Sequence, residues 1–212
     1  MTPARPWLLA LHSSSGELGV ALRHLDGGLP DRLATFPLGR SLSNRLLDCV
    51  EQVLPAAHWP TLARLAVATG PGGFTGTRLS VVMARTLAQQ LQLPLDGVSS
   101  FLLVARRLGL ATPTWLVQEL PRRGLVAGLY GPATPDGSGD PDVVAEWRAP
   151  RLHADAASLA ALHPAPRREA SVLAAADVVE LLALSHRAHR AGEPAPWQPV
   201  LPIYPTSPVG VG

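Results

Sequence analysis

A glycine-rich loop between an apolar strand and an apolar helix is the segment of this sequence most suggestive of chemistry. It reads Gly70-Pro71-Gly72-Gly73-Phe74-Thr75-Gly76-Thr77-Arg78. Free backbone N–H groups and the helix dipole at a helix N-terminus favour an anion, so such a loop can cradle a phosphate. Glycines in a tight strand-to-helix turn are equally what packing demands. All 18 basic residues are arginine, so the lysine of a Walker phosphate loop is missing, and both interpretations stay open.

Two other groups of residues were considered for chemistry. His186 and His189 are three residues apart on the last predicted helix and supply half of a metal site, but the sequence places no third ligand. Beside Arg187 and Arg190 near a helix C-terminus, they are expected to interact with the helix dipole and solvent. Cys49 lies among apolar neighbours with no histidine at a recognisable catalytic spacing, so we expect it to act as a small core residue.

The elements that must position the loop follow from periodicity in the first half of the chain. Apolar runs at 7–11, 18–22 and 32–36, separated by Ser/Gly and Asp-Gly-Gly turns, predict an antiparallel meander. Helical periodicity predicts a helix ending near residue 54, capped by Ser41 or Ser43, and a second ending near residue 91, capped by Thr75 or Thr77. Further strands are predicted at 65–69 and 95–98, followed by a short helix.

This order of elements is that of an RNase H-like lobe, which the actin-like superfold uses twice. A nuclease of this type needs clustered carboxylates for two cations, but the first strand ends in His12 and the fourth in Thr69. A kinase of the superfold needs an acidic residue and hydroxyls in the first hairpin. Ser13, Ser14 and Ser15 supply hydroxyls here, but His12 stands in place of the acid. ATPase or phosphotransferase activity is therefore the alternative function.

The second half predicts a smaller lobe. Strands are predicted at 114–117, 125–130 and 143–147, with a Pro/Gly/Asp loop at 131–142 that contains the only candidate second phosphate turn, at 137–139. Helices are predicted near 155–162 and 171–189. The predicted division is a first lobe at 1–108, a second lobe at 109–190 and a Pro-rich extended tail at 191–212.

Composition is consistent with one ordinary globular protein. The chain has 212 residues, 47% apolar content and a net charge of +2. Its apolar runs are far shorter than the roughly 20 residues that cross a bilayer, and no secretory signal is expected at the N-terminus. The single cysteine excludes an internal disulfide and fits a reducing cytoplasm.

Two blocks of the sequence resemble the TsaB (YeaZ) family, the partner subunits of bacterial tRNA threonylcarbamoyladenosine synthesis. The first is the glycine loop with Arg78, and the second is Pro94-Leu95-Asp96-Gly97-Val98-Ser99-Ser100. The resemblance implies a two-lobed, actin-like (RNase H-like) α/β fold with mixed sheets and a small second lobe. Where the family's first strand usually ends in an acidic residue, this chain has His12.

The resemblance further implies a non-catalytic subunit without a cofactor or metal of its own. It would bind a TsaD-type catalytic homologue that modifies adenosine 37 in tRNAs reading codons that start with A. A TsaE-type ATPase would join them, tRNA would be reached through the partners, and ATP and a divalent metal would enter the complex through those subunits. A metallopeptidase activity, considered for the wider family by analogy, lacks its ligands here.

In the family, helices of the first lobe form the interface with the catalytic homologue, or a homodimer in its absence. The matching segments here are the two predicted helices on either side of the glycine loop. The interface candidates on them are Leu46, Val50, Val81 and Arg85, subject to their being exposed.

Overall fold

A computed structural model describes residues 5–134 and 143–205. The chain forms two compact units. Unit 1 comprises Met1–Ser100 and Leu173–Pro202, and unit 2 comprises Phe101–Val172 and Ile203–Gly212. Each unit is built around its own sheet.

Nine strands and five α-helices lie within the described residues. The strands are β1 Trp7–His12, β2 Leu18–His24, β3 Arg32–Phe36, β4 Leu62–Ala68, β5 Leu95–Val98, β6 Thr114–Leu120, β7 Gly124–Pro132, β8 Val144–His153 and β9 Arg167–Glu169. The helices are α1 Leu42–Val53, α2 Phe74–Leu91, α3 Ser100–Arg107, α4 Ala156–Leu162 and α5 Ala174–Arg190.

The sheet of unit 1 has the strand order β3-β2-β1-β4-β5. Strands β1, β2 and β3 are antiparallel neighbours, which confirms the predicted meander. Strand β4 runs parallel to both β1 and β5. The sheet is therefore mixed, as predicted.

Helices cover both faces of this sheet. Because side chains alternate along a strand, Leu9 and Leu11 of β1 face the core formed with α1 and α2, and Leu8 and Ala10 point to the opposite face. Helix α5 packs against β1, β2 and β4. A Cβ at Gly19 of β2 would lie 2.5 Å from the carbonyl oxygen of Ala174, so glycine is what allows α5 to approach this closely.

Unit 2 contains a four-stranded sheet with the order β8-β7-β6-β9. Strands β6, β7 and β8 are antiparallel neighbours, and β9 runs parallel to β6. Alternate residues of β6 enter two different cores: Leu116 packs with Phe101 of α3, while Trp115 packs with Leu159 of α4. The first four strands of unit 1 have the same order and the same directions, so the two sheets share one topology. This arrangement confirms the predicted two-lobed, RNase H-like fold class.

Contacts within the chain divide it differently from the predicted boundaries at 1–108, 109–190 and 191–212. Helix α5 belongs to unit 1, because its buried face packs on β1, β2 and β4. The predicted tail is packed rather than loose as far as Pro202: Val200 lies in the core of unit 1 with Trp197 beside it, and the N–H of Leu95 donates to the carbonyl of Ala195 at 2.8 Å. Unit 1 is therefore assembled from two separate segments.

The predicted caps of α1 and α2 both need correction. Gly73 is the N-cap of α2, not Thr75 or Thr77, so the helix begins two or four residues earlier in the glycine loop than the hydroxyl pattern predicted. Ser41 does precede α1, but its hydroxyl donates to the carbonyl of Leu38 and not to the helix. Strand β9 was not predicted. Most of the predicted loop at 131–142, including its candidate phosphate turn, lies outside the described residues.

Candidate functional site

The glycine loop packs directly on the turn between β1 and β2. The N–H of Gly73 donates to the carbonyl of Ser14 at 2.7 Å. A Cβ at Gly72, whose φ is +151°, would overlap that same carbonyl oxygen. A Cβ at Gly76 would lie 2.5 Å from the carbonyl oxygen of Ser13. The close approach of two backbones therefore accounts for these glycines, and this favours the packed-turn interpretation.

Five buried hydroxyl groups are hydrogen-bonded at this contact between the glycine loop and the turn. Ser13 and Ser80 are joined by a 2.7 Å hydrogen bond between their Oγ atoms. The hydroxyl of Ser100 donates to Ser14 Oγ at 2.8 Å, and that of Thr77 lies 3.0 Å from the same oxygen. All five residues are buried. The hydroxyls that a phosphate-binding hairpin would offer to a nucleotide are thus used inside unit 1.

His12 ends β1 as a fully buried side chain. Burial lowers its pKa from 6.5 to about 3, so the imidazole is neutral at physiological pH. Its Nε2 lies 4.0 Å from Oδ2 of Asp177 on α5, too far for a hydrogen bond, and that oxygen accepts the backbone N–H of Leu173 at 2.8 Å. His12 therefore does not supply the negative charge that an acidic residue at this position would provide.

A buried ion pair lies at the second family block. Arg64 of β4 donates to both carboxylate oxygens of Asp96 on β5, each at 2.7 Å, and its third contact is the carbonyl of Glu193 at 2.9 Å. The hydroxyl of Ser185 on α5 also donates to Asp96. The sequence analysis did not predict this network of hydrogen bonds. The available signal was a pair of opposite charges: Arg64 directly precedes one predicted strand, and Asp96 lies in another.

The next residue of that block has a packing role. A Cβ at Gly97 would lie 2.8 Å from Cγ1 of Val200. Glycine here lets the segment after α5 cover β5. Both Asp96 and Gly97 thus have structural functions, so the block marks the architecture of unit 1 and need not mark a catalytic site.

Three of the four predicted interface residues are core residues. Leu46, Val50 and Val81 are buried between α1, α2 and the sheet, so they cannot offer a surface to a partner. Arg85 is half-buried, donates to the carbonyl of Val200 at 2.6 Å and lies over the ring of Trp197. The condition that these residues be exposed is therefore not met by the three apolar ones.

Other apolar residues of the same two helices are exposed. Leu47 of α1 is 51% exposed, and Phe74 and Val82 of α2 are 48% and 60% exposed. Phe74, Arg78 and Val82 are spaced four residues apart on one face of α2, and the Arg78 guanidinium lies 4.8 Å from the centre of the Phe74 ring. We call Leu47, Phe74, Arg78 and Val82 the exposed stripe. It begins in the glycine loop itself.

Other candidate chemistry is not supported by the geometry of the described residues. Cys49 is fully buried, and burial raises the pKa of its thiol, which disfavours the reactive thiolate. In residues 5–134 and 143–205, no three His, Cys, Asp or Glu side chains come together as a metal site. The same residues include no helix with the length and apolar character needed to span a bilayer.

Sequence comparisons connect the chain to tRNA-modifying proteins. Residues 38–123 match the family model of TsaD, tRNA N6-adenosine threonylcarbamoyltransferase. The tRNA threonylcarbamoyladenosine biosynthesis protein TsaB of Bacillus subtilis (strain 168) is 33% identical over 130 residues, which cover 58% of this chain and 54% of that protein. The protein of the same name from Escherichia coli (strain K12) is 31% identical over 101 residues, covering 47% and 42%. The matched region thus spans about half the length of these curated relatives.

Solved structures match nearly the whole chain. An uncharacterized protein with similarity to peptidase YEAZ from Pseudomonas aeruginosa aligns with a TM-score of 0.69 at 22% identity, covering 94% of this chain and 99% of that one. YeaZ from Pseudomonas aeruginosa aligns with a TM-score of 0.65 at 24% identity, covering 93% and 99%. These structures establish the fold, and the sequence matches add a similarity to TsaB proteins. The chain is thus similar in sequence to TsaB proteins over about half of its length, and in fold to the YeaZ structures over nearly all of it.

Proposed function

We propose that this chain is a non-catalytic scaffold subunit that binds a TsaD-type catalytic homologue. Through that partner it would support threonylcarbamoylation of adenosine 37 in tRNAs that read codons starting with A. The observation that carries the proposal is the exposed stripe on α1 and α2. The names of the two curated relatives support the pathway.

The exposed stripe has the composition of a protein interface. Large apolar side chains on two contacting helices, with an arginine stacked on an aromatic ring, match the residue types enriched at such surfaces. The region that matches the TsaD family model, 38–123, includes both helices. In the absence of the catalytic partner, the same stripe would join two copies of this chain.

The absence of catalysis in this chain is proposed from the interior of unit 1. The Ser13 and Ser14 hydroxyls of the β1–β2 turn are hydrogen-bonded to buried hydroxyls of α2 and α3, and the glycine loop occupies the space beside that turn. His12 is neutral where a metal-binding acid would be needed. ATP and a divalent metal would therefore reach the complex through the catalytic homologue and a TsaE-type ATPase, and tRNA through the same partners, in the cytoplasm.

The test measures association with the catalytic homologue from the same source. The purified chain and that homologue are mixed and their molar mass is measured by size-exclusion chromatography with light scattering. We expect a stable heterodimer for the wild-type chain. Val82→Glu and Leu47→Glu should prevent it, because a charge buried without a partner in an apolar interface is strongly unfavourable.

The matched control is Val179→Glu, the same substitution at an exposed position of α5. It should leave the heterodimer intact, and circular dichroism should show all three variants folded. Heterodimer formation by Val82→Glu would contradict the assigned surface. No association of the wild-type chain, with or without ATP and tRNA, would contradict the scaffold function. ATP turnover by the chain alone would favour the alternative, an ATPase or phosphotransferase.

A further inference from the structure

A groove in unit 1 collects basic side chains that the scaffold function does not use. It has a volume of about 620 Å³ and lies beside the end of β2, the loop that leads to β3 and the last turns of α5. The basic residues that line it are Arg23, His24, His186, His189 and Arg190. The two histidines of α5 that the sequence placed in solvent therefore share a cavity with two arginines.

The charges in this groove are unevenly compensated. Arg23 makes a two-pronged ion pair with Asp31, at 2.9 and 2.6 Å, which fixes the orientation of its guanidinium. The side chain of Arg190 makes no hydrogen bond or ion pair with any residue in the described part of the chain. One cation is thus held in place by a carboxylate, and a second has no compensating anion.

The charged groups around His186 create a positive local potential. Its pKa is lowered by burial and then by the charges of Arg23, Arg190 and His189, with only Asp31 acting in the opposite direction. The other charged group of the groove is Asp26 in the turn after β2. A bound anion would relieve this repulsion and raise the pKa of His186, so binding and protonation should favour each other.

One buried nitrogen in the lining also lacks a partner. Nδ1 of His24 is buried and has no hydrogen-bond partner among the described residues. Buried polar atoms are rarely left unsatisfied, and this one belongs to a histidine that lines the groove. A metal is a poor occupant, because no three metal-ligating side chains come together within the described part of the chain.

We propose that this groove binds the phosphate group of a nucleotide-sized ligand through Arg190, His186 and His189. Asp31 fixes the orientation of Arg23 beside them. Arginine guanidinium groups match phosphate oxygens in geometry as well as charge. The cavity is much larger than one phosphate and falls within the range of roughly 300–1,000 Å³ typical of small-molecule sites, so it has room for the sugar and base. The site needs no other subunit, so its test is independent of the scaffold function.

The test is isothermal titration calorimetry of the full chain with inorganic phosphate and with adenosine monophosphate. We expect saturable binding of both, tighter for the nucleotide, with an affinity that rises as the pH is lowered from about 7.5 to about 6. Arg190→Gln should weaken binding about tenfold or more, because a charge-assisted contact is lost. The double variant His186→Gln/His189→Gln should remove the part of this pH dependence that comes from the two histidines, and leave the part that comes from protonation of the ligand phosphate.

The matched control is Arg187→Gln, which removes the same charge from the same turn of α5 at an exposed position outside the groove. It should bind as the wild type does. Absence of saturable binding, or equal weakening by Arg187→Gln and Arg190→Gln, would overturn the site. Equal affinity for phosphate and the nucleotide would overturn the ligand size. Tighter, Arg190-dependent binding of a short RNA would replace the small ligand by an RNA contact.

Discussion

His12 is a fully buried base at the end of β1, and its burial lowers the stability of the folded chain in acid. Its pKa is about 3 in the folded chain and about 6.5 when unfolded. Above pH 6.5 both states are neutral, so the stability is unaffected. Between pH 6.5 and about 3 the unfolded state binds the extra proton, and the folded chain should lose about 1.4 kcal/mol per pH unit.

The pH prediction is checked by urea unfolding of wild type and His12→Gln across this range. Other histidines with lowered pKa, such as His153 and His186, remain in both proteins, so the difference between the two curves isolates His12. We expect the wild type to lose stability more steeply as the pH falls. The opposite slope would mean that Asp177 holds His12 protonated and raises its pKa.

Gly72 is predicted to be intolerant of any side chain. A Cβ there would overlap the carbonyl oxygen of Ser14, and the φ of +151° is unfavourable for other residues. We expect Gly72→Ala to lower the free energy of unfolding by about 1–3 kcal/mol or more. The control is Gly28→Ala, where a Cβ would meet no atom within 4 Å and should change little. Equal stabilities by urea unfolding would show that the loop and turn can move apart.

At the scale of elements, the Arg64–Asp96 pair joins β4 and β5 to the segment that follows α5. Arg64 is only 2% exposed, so removing its charge leaves a buried carboxylate without its partner. We expect Arg64→Met to destabilise unit 1 by about 3–5 kcal/mol. The double variant Arg64→Met/Asp96→Leu should recover part of this loss, because no charge remains buried.

The partly exposed ion pair Arg23–Asp31 is the control for the predicted cost of breaking the buried Arg64–Asp96 pair. Its side chains are 24% and 28% exposed, so solvent screens the interaction. Arg23→Met should therefore cost no more than about 1 kcal/mol in urea unfolding. A similar cost for the two Arg→Met variants would mean that the network around Arg64 is not the main connection between these elements.

Apolar periodicity predicted most of the helices and strands, but not which side of each helix packs against the sheet. The meander and the helices α1, α2 and α5 follow from apolar spacing that burial in one face requires. Strand β9 was missed because its three residues, Arg167–Glu169, are exposed at a sheet edge and carry no apolar signal. Val81 was considered for the interface, yet its neighbour Val82 is the exposed one. One residue is a rotation of roughly 100° on a helix, and only the packed structure shows which side faces the sheet.

The candidate site shows the same limit at the loop. The glycine string indicated a tight turn and a resemblance to TsaB proteins, but the sequence could not distinguish an anion cradle from a packed turn. The answer depends on which backbone lies opposite, and Ser13 and Ser14 are separated from the loop by more than fifty residues. Long-range contacts of this kind leave no local pattern.

The whole molecule is organised as two sheets of one topology with an interrupted unit 1. The chain leaves unit 1 after Ser100 and returns at Leu173. Residues 101–172, which belong to unit 2, therefore separate the two segments that together form unit 1. Helix α5 closes the second face of its sheet, and the residues after it supply the carbonyl of Glu193 to Arg64 and place Val200 in the core.

This organisation predicts that a chain ending at residue 172 will not form a native unit 1. Truncation would expose the face of β1 and β2 that carries Leu8, Ala10 and Ala21, all fully buried in the whole chain. Exposed apolar surface and loose packing are the marks of a molten globule, so we expect dye binding, weak near-ultraviolet circular dichroism and no cooperative thermal transition. A chain ending at residue 205 keeps every described residue of α5 and its following segment and should unfold cooperatively. A sharp transition of the 1–172 chain would mean that the first hundred residues form a stable lobe without α5, as the boundary at residue 108 had predicted.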